Sequence, residues 1–476
     1  MRIEKLANRI TWLGLVLMLG LSFQYSNPRV LAQSNPGNWS QPVKITDGQK
    51  EISEPTIVAD AMGIVHLFWA QPYKEQRHLI YYTRWDGTAW TEIVDVIAMD
   101  LAGAPSAAID KLGNLHLIWR GDGGRLFHSW APYQSAGSAR GWSQPSAFAD
   151  ANMHAQITCD QEGKLHIAFP GPESSGLYYM VSWDSGLSWS VPIKVSPPSS
   201  ESSSVDFVRL AVGLNGWIHV VWSEFQFPEG WPPVGVFYAR SIDGGKTWSD
   251  IVQLGGPDYD QINVALVNEN SIHVAWNGMV GIGGRYHRGS SDGGQIWSEM
   301  VEVTPKGFGG TEGVPQLVVD ALGTVHLLTT HSGCVWYSTW QDKYWSIPEC
   351  ISGEKDKDVN FIEEPALAVN LGNQLHAVFW NHRSQLWYTA KQTAAPNLSM
   401  PPPPMITINI TKEVAPTVYV QPTASNSPLQ AIVLPELERN GSVTSTGPGR
   451  VIILSILPIV LIVAGIVLFR IRGRGH

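Results

Sequence analysis

The sequence predicts an all-β fold, a seven-bladed β-propeller that is closed by its own N-terminal strand. Three observations predict it: a histidine phrase that recurs along the chain, a tryptophan phrase between its copies, and alternation of apolar with polar residues in both. Alternation over short runs broken by turn residues favours strands over helices. Repeats of about 50 residues that each hold four short strands are typical of propeller blades. We therefore expect the seven blades to occupy residues 38–391.

The histidine phrase has the form P-x-[IL]-x-x-D-x-x-G-x-[VIL]-H-[LV]-x-[WF] and is clearest in residues 55–69 and 105–119. Its histidines are roughly 50 residues apart; they are His66, His116, His166, His219, His273, His326 and His376. Seven copies at one place in seven blades lie around a ring, whereas metal ligands converge on one ion. The pattern therefore predicts neither a metal nor a cofactor. We expect each histidine to hydrogen-bond backbone or a polar group between blades.

The tryptophan phrase, W-[ST]-x-[PI] after an aromatic strand, follows six of the histidines. Its tryptophans are Trp90, Trp142, Trp189, Trp248, Trp297 and Trp345. The seventh copy, with Trp39, instead precedes the first histidine, and residues 386–390 form the last strand pattern. The N-terminal strand is therefore predicted to complete the last blade and to cover its exposed sheet edge.

Both ends of the chain differ in composition from the repeats. Residues 1–32 combine a basic start, an apolar run and a small residue at the end, which predicts a signal peptide and export. Residues 394–449 are rich in Pro, Ser and Thr and predict a disordered stalk. Residues 451–469 are uncharged, apolar and long enough for a transmembrane helix, and the basic residues 470–476 predict a cytoplasmic tail. The expected location is the cell membrane, with the propeller outside.

Charge and cysteine content narrow the function classes. The net charge of −9, from 32 Lys+Arg against 41 Asp+Glu, argues against a basic nucleic-acid surface. Three cysteines are too few for a disulfide scaffold, but Cys334 and Cys350 flank a hairpin-like segment within reach of a bond. Free thiols are the alternative for this pair. Cys159 is expected to be buried and free, and the chain is expected to be monomeric.

A turn motif precedes three of the tryptophans: "SWDSGLSW" at 182–189, "SIDGGKTW" at 241–248 and "SSDGGQIW" at 290–297. Its Asp accepts hydrogen bonds from the turn backbone, its Gly adopts a positive φ and its Trp packs into the blade. The motif itself therefore predicts a turn and not catalysis. Its characteristic residues are Ser182, Asp184, Gly186, Trp189, Ser241, Asp243, Gly245, Trp248, Asp292, Gly294 and Trp297.

This motif resembles the Asp-box, the S-x-D-x-G-x-T-W repeat of bacterial neuraminidases, and the periodicity of residues 38–391 resembles the sialidase family. In that family the boxes lie opposite the active site, where three arginines, a Tyr–Glu pair and an Asp act. The first family arginine lies in an [FY]-R-I-P phrase, which this sequence lacks; its nearest counterpart is "FVRLAV", with Arg209. Seven repeats also differ from the six blades general among the family's enzymes.

Functional residues are expected opposite the boxes, on the loops that enter each first strand or join second and third strands. Residues there that break the repeat predict a ligand site: Arg120, Asp122, Arg209, Glu224, Trp231, Asp258, Asp260 and Arg285. The catalytic candidates are Glu54, Glu364, Glu312 and Tyr259. Glu54 and Glu364 share one register in blades that closure makes neighbours, so they are either paired carboxylates of a glycoside hydrolase or solvated rim charges. Trp231, with Phe225 and Phe227, is either a stacking platform for sugars or a lid.

These features predict a membrane-tethered extracellular propeller that binds a glycan or a protein without performing chemistry. The alternative is an exo-sialidase-like glycoside hydrolase, and a structural surface scaffold is a third class. The fold does not choose among them.

Overall fold

A computed structural model describes residues 37–48, 52–73, 77–152, 154–172, 175–226, 232–279, 282–304, 313–353, 362–381 and 383–398. Contacts divide the chain into residues 1–406 and 407–476, and all described residues belong to the first unit. The predicted signal peptide, nearly all of the stalk, the apolar segment 451–469 and the basic tail lie outside the described residues.

The described residues form seven four-stranded antiparallel sheets. Blade 1 contains β2 (Thr56–Ala59), β3 (Val65–Pro72), β4 (His78–Trp85) and β5 (Val94–Met99). Blade 2 contains β6 (Ser106–Ile109), β7 (Asn114–Arg120), β8 (Arg125–Pro132) and β9 (Ser146–Asp150), with short 3₁₀ helices at Asp122–Gly124 and Ala139–Gly141. Blade 3 contains β10 (Gln156–Cys159), β11 (Leu165–Pro170), β12 (Leu177–Ser182) and β13 (Ile193–Ser196).

Blade 4 contains β14 (Ser203–Val212), β15 (Ile218–Gln226), β16 (Pro233–Ser241) and β17 (Val252–Gly255). Blade 5 contains β18 (Tyr259–Leu266), β19 (Ile272–Gly278), β20 (Arg285–Ser290) and β21 (Val301–Thr304). Blade 6 contains β22 (Gln316–Val319), β23 (Val325–His331), β24 (Cys334–Thr339) and β25 (Glu349–Cys350). Blade 7 contains β26 (Ile362–Asn370), β27 (Gln374–Asn381), β28 (Leu386–Gln392) and the N-terminal β1 (Val43–Lys44).

The predicted closure is confirmed. Strand β1 pairs with β28 in the register Val43↔Tyr388, which places residues from the two ends of the propeller in one sheet. Just before it, Ser40 is buried and its carbonyl oxygen accepts a hydrogen bond of 2.7 Å from the Thr389 hydroxyl. The N-terminal strand therefore completes blade 7 and covers the outer edge of β28.

The repeat histidines are buried and hydrogen-bonded, but within their own blade and not between blades as expected. His66 Nδ1 lies 2.8 Å from the Tyr82 hydroxyl on the neighbouring strand, and Asp60 accepts the backbone N–H groups of Met62 and Ile64 in the turn before it. The reason is register: second and third strands are hydrogen-bonded neighbours, so a long side chain on one reaches a side chain on the other. Burial lowers the pKa of His376 to about 3 and keeps that imidazole neutral.

The Asp-box turns connect third to fourth strands and also join neighbouring blades. Asp243 accepts hydrogen bonds from the Thr247 backbone N–H at 3.0 Å and from its hydroxyl at 2.6 Å. Gly245 has φ +88°, and a Cβ there would lie 2.1 Å from the Tyr179 ring of the preceding blade. Trp248 packs edge-on against Tyr179, with 5.4 Å between ring centroids. The motif requires glycine both for its backbone conformation and for this close approach.

The disulfide between Cys334 and Cys350 is confirmed; the two Cα atoms are 5.9 Å apart on neighbouring strands β24 and β25. Cys159 is a free thiol, as predicted, but it is only half-buried, so the predicted burial is wrong. Burial raises the pKa of Cys159 to about 12, which keeps the thiol protonated.

Candidate functional site

Each blade is an antiparallel sheet, so its inner strand and its third strand run in the same direction and both end on the face that carries the Asp-boxes. The seven inner strands therefore begin on the opposite face. The inner strands surround a central cavity of about 270 Å³. Its lining includes Glu54, His154, Arg209 and Glu364. We use the name channel mouth for these four residues together with Asp206, which adjoins His154.

One ring of side chains lines the cavity at a single register. Each member pairs with the second residue after the repeat histidine: Thr56 pairs with Phe68, and Arg209 pairs with Val221. The ring in chain order is Thr56, Ser106, Gln156, Arg209, Asn263, Gln316 and Ala366. Six of these seven side chains are uncharged, so Arg209 is a local break in a sevenfold pattern.

Three inner strands extend further toward the channel mouth than the others, and each contains a bulge. The register shifts lie between Asp206 and Arg209 in β14, between Asp260 and Asn263 in β18, and between Glu363 and Ala366 in β26. The bulges place Phe207, Gln261 and Glu364 at φ of 47°, 54° and 46°, a conformation that is uncommon for these residue types. Bulges next to a site re-aim side chains, and here they position Asp206, Asp260 and Glu364.

His154 is held as a cation by carboxylates. Its Nδ1 lies 3.7 Å from Asp206 Oδ1, a separation that fits an ion pair and is too long for a hydrogen bond. Burial on its own would lower the pKa of His154, but the Asp206 carboxylate and the charge of Glu54 outweigh that effect and raise the pKa to about 9. The imidazole is therefore protonated at neutral pH, and both ring nitrogens are donors.

The negative charges of three acidic side chains act on Arg209. Its Nη1 donates to the carbonyl oxygen of Val208 at 2.9 Å, which fixes one edge of the guanidinium. Burial lowers the pKa of Arg209, while the negative charges of Glu54, Asp206 and Glu364 act in the opposite direction. Glu364 also accepts a hydrogen bond of 3.2 Å from Trp380 Nε1. The channel mouth thus contains three carboxylates and two cations.

Asp260 and Arg285 lie in blade 5, near the starts of β18 and β20. Arg285 is 1 % exposed, and its guanidinium donates to the backbone carbonyl oxygens of Gly284 and Thr330. Asp260 is 2 % exposed, and its Oδ1 has no hydrogen-bond partner among the described residues. Burial raises the pKa of Asp260 to about 7, with Asp206 adding to the rise and Arg285 opposing it.

The structure does not bring Glu224 to the channel mouth. Its side chain is 1 % exposed inside blade 4. The carboxylate accepts hydrogen bonds from Trp222 Nε1 at 3.0 Å, from the Ser203 hydroxyl at 2.9 Å, and from the Ser199 N–H and hydroxyl. Both carboxylate oxygens accept hydrogen bonds, so Glu224 has a structural role.

The remaining candidates lie away from the cavity or outside the described residues. Arg120 donates to the Ala151 carbonyl oxygen at 3.2 Å, and Asp122 is exposed in a 3₁₀ helix; neither lines the cavity. Tyr259 packs edge-on against Tyr286 at 5.0 Å between centroids. Asp258, at φ 68°, accepts the Met279 N–H through its carbonyl oxygen. Phe227, Trp231 and Glu312 lie outside the described residues.

The arrangement limits the chemistry available. Arg209 is the only arginine among the described residues that line the cavity, so that part of the chain does not form the arginine triad implied by the family resemblance. No group of three or more His, Cys, Asp or Glu side chains in the described ranges is arranged to hold a metal ion. Glu54 and Glu364 do line the same cavity, as their shared register predicts.

Sequence reasoning missed His154 and Asp206. His154 directly precedes "AQITCD", in the register that Glu54 and Glu364 occupy before "PTIVAD" and "PALAVN". A comparison of that one register across the seven repeats would have found the histidine. Asp206 had no such signal, because the bulge after it shifts β14 out of the common register.

Comparison with known proteins agrees on the fold. No family model matches the sequence, and no curated protein matches it either. The BP39L lectin from Burkholderia pseudomallei is similar in structure, with a TM-score of 0.56 over 74% of this chain and 99% of the lectin, at 13% identity. A Dyadobacter fermentans protein of unknown function has a TM-score of 0.50 over 74% and 98% of the two chains, at 12% identity. A Hadza microbial sialidase, Hz136, has a TM-score of 0.43 over 72% and 65%, at 14% identity. The seven four-stranded sheets make the chain an all-β seven-bladed propeller, and the first two likenesses are likenesses of fold alone.

Helices of the described ranges are too short or too polar to cross a bilayer. The apolar segment 451–469, predicted to do so, is not among those ranges.

Proposed function

We propose that this protein is a membrane-tethered extracellular β-propeller of the sialidase-like, Asp-box type, and that its channel mouth binds a glycan without chemical conversion. The observation that carries the proposal is Arg209. It stands in a ring whose other six members are uncharged, and it faces the carboxylates of Glu54 and Glu364 across the cavity. Arg209 is partly buried, and a cation that is withdrawn from water costs free energy unless other groups compensate it. Its position on the face opposite the structural turns suits ligand binding.

The charge balance favours a neutral sugar over an acidic one. Three carboxylates at the channel mouth, Glu54, Asp206 and Glu364, outnumber the cations His154 and Arg209. An anionic ligand would have to compete with carboxylates whose charges already act on both cations. Sugar hydroxyls both donate and accept, so adjacent carboxylates and cations can bind them together. The chemical class that fits is a neutral, polyhydroxylated ring. One of the solved structures similar in fold is a lectin, which agrees with a binding role.

Membrane tethering rests on composition alone. The export signal in residues 1–32, the stalk in 394–449 and the apolar segment 451–469 followed by basic residues support an outside propeller with its C-terminus inside. Protease treatment of intact cells should release a fragment that contains the propeller and leave the C-terminus protected. Protection of the propeller in intact cells would contradict this topology.

A glycoside hydrolase is the second candidate, because Glu54 and Glu364 line one cavity. Paired carboxylates about 5 to 9.5 Å apart perform glycoside hydrolysis by either stereochemical route. The lack of further cavity-lining arginines among the described residues weighs against the exo-sialidase form of this alternative.

The test is a glycan array with the purified full-length chain and a variant suggested by the fold's own symmetry. Arg209→Gln introduces glutamine, the residue type that already stands at two other positions of the ring, Gln156 and Gln316. The variant should therefore fold. We expect binding to neutral glycans that falls at least tenfold in Arg209→Gln. The matched control is Arg125→Ala, an exposed arginine at the start of β8 on the same face that does not line the cavity. Equal binding by Arg209→Gln and the wild type would refute the channel-mouth site, and turnover of a fluorogenic glycoside panel, abolished by Glu364→Gln, would favour the hydrolase.

A further inference from the structure

The face that carries the Asp-boxes, called the Asp-box face below, also carries nearly all of the exposed large apolar side chains among the described residues. On this face first strands turn into second strands and third strands into fourth strands. Apart from Tyr73, which follows β3 on the opposite face, every such side chain lies in one of those turns or beside one. In chain order they are Leu112, Trp183, Leu187, Val191, Leu214, Ile242, Ile251, Ile296, Met300, Leu322, Tyr344, Ile347 and Leu398. Single exposed apolar residues are ordinary on a protein surface, but their confinement to one face is not.

The turns themselves do not require these apolar residues. In two boxes the residue after the serine is apolar: Trp183 is 64 % exposed and Ile242 is 60 % exposed. The serine and the aspartate on either side make hydrogen bonds of the turn, with 2.8 Å between Ser241 Oγ and Asp243 Oδ1. The third box has the exposed Ser291 at the same place. The Asp-box geometry therefore accepts a polar residue there, and the apolar side chains have another cause.

The apolar side chains are distributed around the ring and are not gathered in one groove. Blades 3, 4, 5 and 6 each expose at least two of them in the connection between third and fourth strands. One of these, Ile347 in blade 6, is 93 % exposed. A folded partner would need matching pockets at the same spacing, whereas a lipid surface accepts separate insertions at any spacing. Trp and Tyr beside aliphatic residues, as at Trp183 and Tyr344, are also the types enriched at the headgroup layer of a membrane.

The chain leaves the propeller on this same face. Strand β28 is the third strand of blade 7 and therefore ends there, and the Leu398 N–H donates at 2.8 Å to the carbonyl oxygen of Leu371, in the turn between β26 and β27. Residues 399–450, most of them in the predicted stalk, then separate Leu398 from the predicted transmembrane helix. A linker of that length allows any separation up to about 160 Å, so it permits contact between this face and the bilayer without enforcing it. A tether also keeps the lipid at a high effective concentration, so individually weak insertions suffice.

We propose that the Asp-box face lies on the outer surface of the lipid bilayer, with its apolar turn residues inserted at the level of the headgroups. This docking rests on the membrane tether of the proposed function. Insertion by about 5–10 Å takes the side chains of Trp183, Ile242 and Ile347 out of water and leaves the blades outside. The carboxylate of Asp243 in the same layer keeps the hydrogen bonds from Thr247 that its own turn supplies. The channel mouth then faces away from the membrane, open to ligands from outside.

Tryptophan quenching by lipid tests this with the full-length chain reconstituted in phosphatidylcholine vesicles. Residues 399–476 contain no tryptophan, and Trp12 of the predicted signal peptide is common to all variants, so differences in quenching by lipid brominated near the top of one acyl chain report on the propeller. The diagnostic variant combines Leu187→Ser with Ile242→Ser, which removes two exposed apolar side chains and keeps every tryptophan. The matched control is Tyr73→Ser, an exposed apolar residue on the opposite face.

We expect brominated lipid to quench the wild type and Tyr73→Ser equally, and to quench the double variant at least twofold less. Trp183→Phe should also lose at least half of the quenching, because it keeps an apolar ring and removes the exposed reporter. All of these proteins should float with the vesicles in a density gradient, because the predicted anchor is unchanged.

Flotation separates failure of the docking from failure of the tether. If the protein floats but the wild type is unquenched, or if the double variant or Trp183→Phe is quenched as strongly as the wild type, the docking is overturned and the tether stands. If the wild type does not float, the tether and the docking are overturned together. A dimer in detergent that the double variant dissociates would assign this face to a second copy of the chain and would also overturn the proposal.

Discussion

Removal of the buried carboxylate of Glu224 should destabilise blade 4 without affecting ligand binding. In the wild type this carboxylate accepts from Trp222 Nε1, from the Ser203 hydroxyl and from two donors of Ser199. In Glu224→Ala the exposed Ser199 groups can turn to water, and the Ser203 hydroxyl keeps the Ser200 carbonyl oxygen as an acceptor. The indole of Trp222, which is fully buried, is left without its acceptor.

The magnitude follows from these contacts. An unsatisfied buried donor costs about 1–3 kcal/mol, and a hydrogen bond to a charged group contributes about 1.5–3 kcal/mol net. Relief of the carboxylate's own burial offsets part of the loss. We therefore expect Glu224→Ala to lower the free energy of unfolding by about 3 kcal/mol, and Glu224→Gln, which keeps an acceptor oxygen, by roughly half as much.

A double-mutant cycle separates the hydrogen bond from general damage to the blade. Trp222→Phe removes the donor and keeps most of the aromatic surface, so Glu224→Ala should cost about 1–2 kcal/mol less in that background. Urea unfolding followed by tryptophan fluorescence measures each variant, with the glycan array run in parallel. The reasoning fails if Glu224→Ala unfolds within about 0.5 kcal/mol of the wild type, if the two substitutions are additive, or if glycan binding is lost while stability is retained.

Three further perturbations address other contacts. Replacement of Cys334 and Cys350 by alanine opens a loop with a sequence separation of 16, so urea unfolding should show a loss of about 3 kcal/mol, and equal stability would contradict the loop-entropy estimate. Burial raises the folded-state pKa of Asp260 from 3.8 to about 7, so the folded protein binds this proton more tightly than the unfolded chain does. The protonated carboxyl group therefore contributes its whole stabilisation below pH 4, and that contribution is lost as pH rises to 7. Asp260→Asn should remove that fall from a plot of Tm against pH, and an unchanged profile would exclude Asp260 as its source. Hydrogen bonds from Thr247 lower the pKa of Asp243 to about 2, so its contribution is present above pH 3.8 and is lost as pH falls to 2. The Tm of Asp243→Asn should be below wild type at pH 6 and converge with it near pH 2; parallel curves would argue against this linkage.

Fold and site differ in how far the sequence predicts them. The blades were predictable because each repeat restates the same contacts: Asp60 ahead of His66, and the glycine and tryptophan of the box at Gly245 and Trp248. A pattern repeated seven times averages out local irregularity, and even the displaced Trp39 indicated the closing strand.

The site was predicted only in part because it consists of departures from the repeat. Arg209, Glu54 and Glu364 were found as such departures, and the structure brings them to one cavity. Asp206 was missed because a bulge changes which side chain reaches the channel. Glu224 was chosen as an unusual polar residue, but charge pattern alone does not reveal that Trp222 and the two serines already engage its carboxylate. The partners of the repeat histidines were placed between blades for a similar reason, since sequence spacing does not specify the neighbouring side chain.

The most direct test of the channel-mouth site is the structure of the full-length chain in complex with the neutral glycan that the array identifies as its tightest ligand. The account predicts a sugar in the central cavity, with hydroxyl oxygens within about 3 Å of the Arg209 guanidinium and of a carboxylate oxygen of Glu54 or Glu364. A glycan bound only on the Asp-box face or on the outer edges of the blades, with Arg209 uncontacted, would contradict it.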